Sequence, residues 1–444
     1  SARCPSVWLN PTLEKSYSST TTGHFAFMTL SAAHTNRCFQ VKTLEHIRQF
    51  AYSRRVSPYA LLGAAIAYRL AELPPNHQLP PLVGGHGSLN IMVGLVAESG
   101  GGKSAAKSAA RELVGTSVFT TEPGSGESLA HLFMRREGNK PPVWERRSVL
   151  AWWDEITTLK GTSGRNGSTM LSKLCTAFVG EELGASHVDK AKSLPLGDHS
   201  YRLCVLAGVQ QSQSHVLLAE KGQGLPQRFL WLPATDARMP ERRPDDPGYL
   251  PGLGVLDARQ DDPTLLGARV VVPVAGVAER AVDAEQLRKA RGDISDSLDS
   301  HALFVQLKVA AGLSLLEPDV YEPRVSEETW ALADHLMAVS RETRGLMVAR
   351  LRENRRAEAV EAGEFEADRE SGKTAALGRH DRLRNWVHRK LEAKGAMTLG
   401  DLKRSAQSID RPYVAEAVAS LVSDGLVSEV DGRYDRVLSP ALAG

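Results

Sequence analysis

Residues 90–114 read NIMVGLVAESGGGKSAAKSAARELV, an apolar run of strand length, a glycine-rich turn and a segment with helical spacing of its apolar residues. The turn, AESGGGKS at 97–104, matches the phosphate-loop pattern G-x-x-x-x-G-K-[ST] with Ala97 in place of the first glycine. A strand before and a helix after are the setting such a loop needs. Its backbone N–H groups and the helix N-terminus then converge on phosphate oxygens. In that arrangement Ala97, Ser99, Gly100, Gly101 and Gly102 form the cradle, Lys103 reaches the β and γ phosphates of ATP, and Ser104 binds Mg2+.

Working outward, SVLAWWDE at 148–155 is a mostly apolar run that delivers Asp154 and Glu155 to its C-terminal edge, where open α/β sheets bind ligands. Nucleotide hydrolysis needs a metal and a positioned base side by side, which would give Asp154 to Mg2+ and Glu155 to the attacking water; a helix cap is the alternative for the pair taken alone. The next run, YRLCVLAGV at 201–209, ends at Gln210, whose amide can sense the γ-phosphate or orient the water; Gln211 and Gln213 compete for that role. A further run, FLWLP at 229–233, follows Arg228. Ring-forming ATPases of the AAA+ type present an arginine there to the neighbouring subunit's nucleotide; the alternative is a surface arginine paired with a carboxylate. Arg165, Lys190 and Lys192 fall in segments inserted between these runs. Ring ATPases grip a nucleic-acid strand from such insertions by salt-dependent contacts, and a solvated loop is the alternative. Trp152 and Trp153 read either as a platform for a nucleobase or as core.

Apolar runs alternating with helical patterns imply an α/β class, a P-loop NTPase core with an AAA+ or RecA-like parallel sheet covered by helices. ARVVVPV at 268–274 reads as the end of that sheet. Residues 1–84 form a Ser/Thr-rich lead-in and a helical region, interrupted at Leu73-Pro74-Pro75 and Leu79-Pro80-Pro81 because proline breaks helices. The ATPase core occupies 85–280 and a helical lid 281–360, its second helix opened by Ser326 as N-cap. Residues 361–380 read as a linker or a fraying helix; the SGKT within it, at 371–374, lacks the flanking strand a phosphate loop requires.

Residues 381–444 hold three helical segments and two strand-like pieces joined at Asp431-Gly432, a hairpin signal, and together these make a winged helix. On DNA, Arg411 and Tyr413 would enter the major groove, Arg433 and Arg436 would sit on the wing, and Lys403 and Arg404 would contact phosphates. Residues 371–444 carry 12 Lys+Arg against 9 Asp+Glu, a mild net +3. Winged helices also dock proteins, and Asp410, Glu416 and Asp424 dilute the positive face.

The whole chain of 444 residues has 54 Lys+Arg against 52 Asp+Glu, a net +2, which excludes a generally basic DNA-coating protein. At 42 % hydrophobic and 24 % charged it is an ordinary globular composition. Its four cysteines, Cys4, Cys38, Cys175 and Cys204, are scattered, suggesting neither a disulfide framework nor a zinc site and fitting a cytoplasmic protein. No window resembles a membrane span or a secretory signal. Starting at Ser1 without methionine fits a processed product or a fragment.

With these residues in place, the chain resembles the replicative-helicase-like P-loop ATPases of actinobacterial phages, prophages and integrative elements, often fused or adjacent to a primase-polymerase. The likeness covers roughly residues 45–350, in the blocks VSPYALLGAAIAYRLA, LPPLVGGHGSLN, AESGGGKS, GSGESLAH, the DE strand, YRLCVLAGVQ, GLPQRFLWLPATD and SHALFVQLKVAAGLSLL. It departs at Ala97 and at Gln211, where a proline often follows the sensor glutamine. The resemblance implies a DNA-translocating ATPase acting as a homo-oligomeric, hexameric ring, with Lys103, Ser104, Asp154, Glu155, Gln210 and Arg228 in the roles above. A primase-polymerase partner would lie upstream of this chain. Rival expectations are an AAA+ initiator or loader that assembles on an origin, a defence-linked ATPase whose winged helix binds a protein, and, last, a small-molecule kinase.

Overall fold

The structure, a computed structural model, describes residues 38–126, 128–138, 140–158, 169–184, 194–218, 224–252, 268–293 and 299–437. The basic residues Arg165, Lys190 and Lys192 lie outside the described residues. The chain divides into two compact units, 1–351 and 352–444.

In the first unit, α1 (Lys42–Ser53) and α2 (Pro58–Glu72) precede β1 (His77–Val83), β2 (Gly85–Ser88) and β3 (Met92–Val96). Then follow α3 (Lys103–Val114), β4 (Thr120–Thr121), the short pair β5 (Met134–Arg135) and β6 (Val143–Trp144), and β7 (Ser148–Trp153). The rest comprises α4 (Thr169–Val179), β8 (Arg202–Val209), β9 (Phe229–Pro233), β10 (Val270–Val271), α5 (Gly276–Ala290), α6 (Ala302–Ser314) and the start of α7 (Glu327–Lys394).

Five strands form one all-parallel sheet in the order β4-β7-β8-β3-β9. Every residue of β3, β7, β8 and β9 is buried, which explains why they read as continuous apolar runs rather than as alternating strands. The chain starts at β3, jumps to the far edge at β4, returns through β7 and β8, and then crosses to β9 on the other side of β3. Winding reverses at β3, so a crevice opens beyond the carboxyl ends of β3 and its neighbours.

Helix α2 is apolar on all sides and accordingly buried at every position, packed against α3, α6 and the sheet strands. The N-terminal helical region is therefore continuous with the core in packing. Ser57 caps α2 with Pro58 at its first position. Arg69 and Glu72, buried on the same helix, pair at 3.0 Å. Lys308, fully buried on α6, donates to Asn90 O at 2.7 Å and Phe178 O at 2.5 Å, tying α6 to the start of β3 and the end of α4.

Two expectations about strands change. The run at 268–274 does not finish the main sheet: β10 pairs with β1 in a separate sheet of order β10-β1-β2, and both its valines are exposed. Of the two proline pairs, the first does close a helix, since α2 stops at Glu72, whereas the second, Pro80-Pro81, lies within β1. Its ladder with β2 is irregular between Leu79 and Val83, around Pro80 and Pro81, which have no N–H to give.

His301, at the N-cap of α6, sits edge-on to Phe178. Burial, reinforced by the charges of Arg228, Lys289 and Lys308, pushes its pKa down to about 4. The unfolded chain binds this proton near pH 6.5 and the folded chain does not until about 4, so stability is complete above 6.5 and falls as pH drops through that window. The loss expected from His301 is about 3 kcal/mol by pH 4, and burial of His77 and His199 acts in the same direction. Denaturant midpoints measured from pH 7.5 to 4.5 should fall steeply for the wild type and less steeply for His301→Asn. Equal slopes would exclude this histidine as the cause.

The second unit comprises the end of α7, β11 (Met397–Thr398), α8 (Leu399–Ser405), α9 (Val414–Ser423), β12 (Val427–Val430) and β13 (Arg433–Arg436). Its strands form an antiparallel sheet of order β11-β13-β12 over a core of its own, built from Leu383, Val387, Leu391, Leu402, Val418 and Leu421. The hairpin turns at Asp431 and Gly432, with φ of 53° and 74°, the left-handed pair that a two-residue turn between twisted strands requires. Helix α7 opens on a reciprocal cap, Thr329 N–H to Ser326 Oγ at 3.1 Å and Ser326 N–H to Thr329 Oγ1 at 2.9 Å. Residues 361–380, with the SGKT, lie inside α7, where their alanine, glutamate and arginine favour helix. Among the described residues no helix is long and apolar enough to cross a membrane.

Candidate functional site

The crevice at the carboxyl end of β3 gathers most of the residues singled out above. Strand pairing carries one residue past β3, with Ala97 N–H donating to Val209 O at 3.0 Å. The loop then turns through Gly100 and Gly102, whose φ of 76° and 82° are strained for any residue with a Cβ. Ala97 has no such φ, which is why alanine serves where the pattern has glycine. Gly102 is the N-cap of α3, so the free N–H groups of the helix's first turn open into the loop.

Lys103 begins that helix with only 8 % of its surface exposed, and its Nζ donates to the loop's own carbonyls, Ala97 O and Glu98 O, each at 2.9 Å. Burial pulls its pKa down, while Glu155, Glu98 and Asp154 hold it up. An arriving anion can therefore take the ammonium from two neutral acceptors. Ser104 Oγ donates to Asp154 Oδ1 at 2.9 Å, and Gln210 Nε2 donates to Glu155 Oε1. Sheet order explains this meeting: β8 lies between β3 and β7, so Gln210 emerges between the loop and the two carboxylates. Gly208 makes the approach possible. A Cβ there would lie 2.1 Å from Asp154 O, where the chain leaving β7 crosses β8 and Ile156 N–H bonds Gly208 O at 3.0 Å.

Some contacts were not read from the sequence. Ser212 Oγ donates to Glu98 Oε2 at 3.3 Å, Trp152 Nε1 donates to Asp154 Oδ1 at 2.8 Å, and Lys107 Nζ stands 4.5 Å over the Trp152 ring. Their spacing carried a signal: Lys107 is one helical turn past Ser104, and Trp152 shares a strand face with Asp154. Trp152 and Trp153 are 5 % and 1 % exposed, so they are core and neither offers a face to a base.

Asp154 and Ser104 set hard oxygen donors side by side. Among the described residues no group of three or more His, Cys, Asp and Glu gathers to enclose a metal. That set suits Mg2+, which keeps several waters and takes one or two carboxylates together with substrate phosphate oxygens. A hydroxyl has one proton and two lone pairs; with its proton on Asp154, Ser104 keeps lone pairs for a cation.

Arg228 does not join this cluster. It stands at the opposite end of the sheet, since Phe229 pairs with Met92 and Pro233 with Val96, which puts it roughly 16 Å from the loop of its own chain. There Nη1 donates to Gly224 O at 2.6 Å and the guanidinium lies 5.9 Å from the Phe178 ring.

In the second unit, Arg404 pairs with Asp401, Arg436 with Glu392, and Arg411 Nε donates to Ala406 O at 3.2 Å. Tyr413 is 42 % exposed, with Arg379 at 5.1 Å from its ring. Arg433 lies on β13, and Lys403 on α8. Helix α9 itself carries Glu416 and no lysine or arginine.

No protein-family profile matches the chain, and no curated protein matches its sequence.

Proposed function

We propose that this chain is an ATP-hydrolysing, DNA-translocating motor, a ring-forming replicative helicase of a phage or mobile element. The observation that carries the reading is the convergence of Lys103, Ser104, Asp154, Glu155 and Gln210 at the switch point of a five-stranded parallel sheet. Lys103 and the N–H groups around Gly102 hold the β and γ phosphates. Mg2+, when bound, supplies charge neutralisation at the transferring phosphoryl group. Glu155 aligns the attacking water, and Gln210 fixes that carboxylate beside the loop. The DNA role draws on the blocks in which the sequence resembles the helicase-like family and on the second unit's three helices and antiparallel hairpin, the order of a winged helix.

A second reading concerns that C-terminal unit alone. The winged helix docks a protein, because α9 offers no basic side chain to a groove and Arg404 and Arg436 are committed to internal carboxylates. An initiator or loader would also fit the ATP site without processive unwinding.

Phosphate release with and without single-stranded DNA, measured beside strand displacement on a forked duplex, separates these readings. A severalfold stimulation and unwinding are expected. Hydrolysis by a verified oligomer with neither response would exclude the helicase, and absence of hydrolysis under all conditions would exclude the ATPase.

A further inference from the structure

We infer that Trp152 is a positioning residue for the cation site, its indole N–H holding Asp154 in the rotamer that turns Ser104 toward Mg2+. The inference rests on the nucleotide-site reading above. Side chains alternate along β7, so Trp152 and Asp154 face the same way, toward α3, from which Ser104 and Lys107 reach them. Trp152 is 5 % exposed, and a buried indole N–H needs an acceptor; it has Asp154 Oδ1 at 2.8 Å. Ser104 Oγ donates to the same oxygen at 2.9 Å. Two donors converging on Oδ1 fix a carboxylate torsion that is otherwise broad, and they leave Oδ2 for a cation or its waters.

A phenylalanine would keep an aromatic ring at this buried place without donating. With the indole N–H gone, Asp154 answers to Ser104 alone, and both swing more freely. Cation affinity should suffer while the loop, Lys103 and Glu155 stay as they are. Hydrogen bonds to metal ligands are commonly worth a factor of about ten or more in metal affinity.

The variants are Trp152→Phe and replacement of Trp152 by its benzothienyl analogue, which puts sulfur in place of the N–H and keeps the ring's outline. Binding of a non-hydrolysable ATP analogue is titrated calorimetrically over a Mg2+ series. In both variants the half-saturating Mg2+ should rise about tenfold, analogue binding in EDTA should be unchanged, and kcat at saturating Mg2+ should stay within about twofold of wild type. In the 15N-tryptophan-labelled chain, one indole proton resonance should vanish in Trp152→Phe and shift in Asp154→Asn. Wild-type Mg2+ dependence in both variants, or a fall in kcat that added Mg2+ does not restore, overturns the role of Trp152 and leaves the nucleotide site standing. An unaltered chain that binds no nucleotide at any Mg2+ concentration overturns the site reading itself.

Discussion

Lys103→Ala should lower ATP hydrolysis by about a thousandfold, the cost of removing a buried, preorganised donor from developing phosphoryl charge. The side chain is nearly enclosed, and among the described residues its Nζ donates to two backbone carbonyls and to no carboxylate. Burial already depresses its pKa, so the folded state bears a desolvation cost that the alanine variant relieves. Thermal stability should therefore hold while activity collapses, and the two are measured on the same preparation by a melting curve and by steady-state phosphate release. A variant that keeps more than about a tenth of wild-type turnover would show that the ammonium does not meet the transferring phosphate.

The strand, glycine turn and helix around Lys103 are legible in the sequence because their signal is local. The strands at 92–96, 148–153, 202–209 and 229–233 were legible for a related reason: covered on both faces, they cannot hide as alternating patterns. Where a segment's fate depends on a distant partner, local signals mislead. Pro80 and Pro81 announce a break, yet β1 forms because β10, almost two hundred residues later, pairs with His77 and Gln78. The valines of β10 looked like a sheet's last strand and went to that smaller sheet instead. Helix α2 carries apolar residues on all sides and so announces its own burial, but not which strands and helices cover it, since those come from distant segments. The pairing of Trp152 with Asp154 falls between these cases, since strand periodicity puts them on one face but does not reveal that the indole N–H turns to the carboxylate.

Arg228→Ala should cost about 10³–10⁵ in turnover and leave nucleotide affinity near wild type, because an arginine that stabilises transferring phosphoryl charge acts on the transition state. Within one chain it has no route to that charge: β9 runs parallel to β3 and leaves Arg228 roughly 16 Å from the loop. Among the described residues no carboxylate neutralises it, and its Nη1 is held by Gly224 O just before β9. The head-to-tail ring of the proposed motor would supply that route, since it would set one face of each subunit against a different face of the next. Mixing Arg228→Ala with Lys103→Ala chains tests that geometry. Each parent should be inactive, but in rings assembled from an equal mixture about a quarter of the interfaces would join an intact loop to an intact arginine. Activity should reappear on mixing and depend on subunit exchange. Mixed rings of confirmed composition that stay inactive, or an Arg228→Ala chain that hydrolyses ATP normally, would return Arg228 to a structural role at the foot of β9.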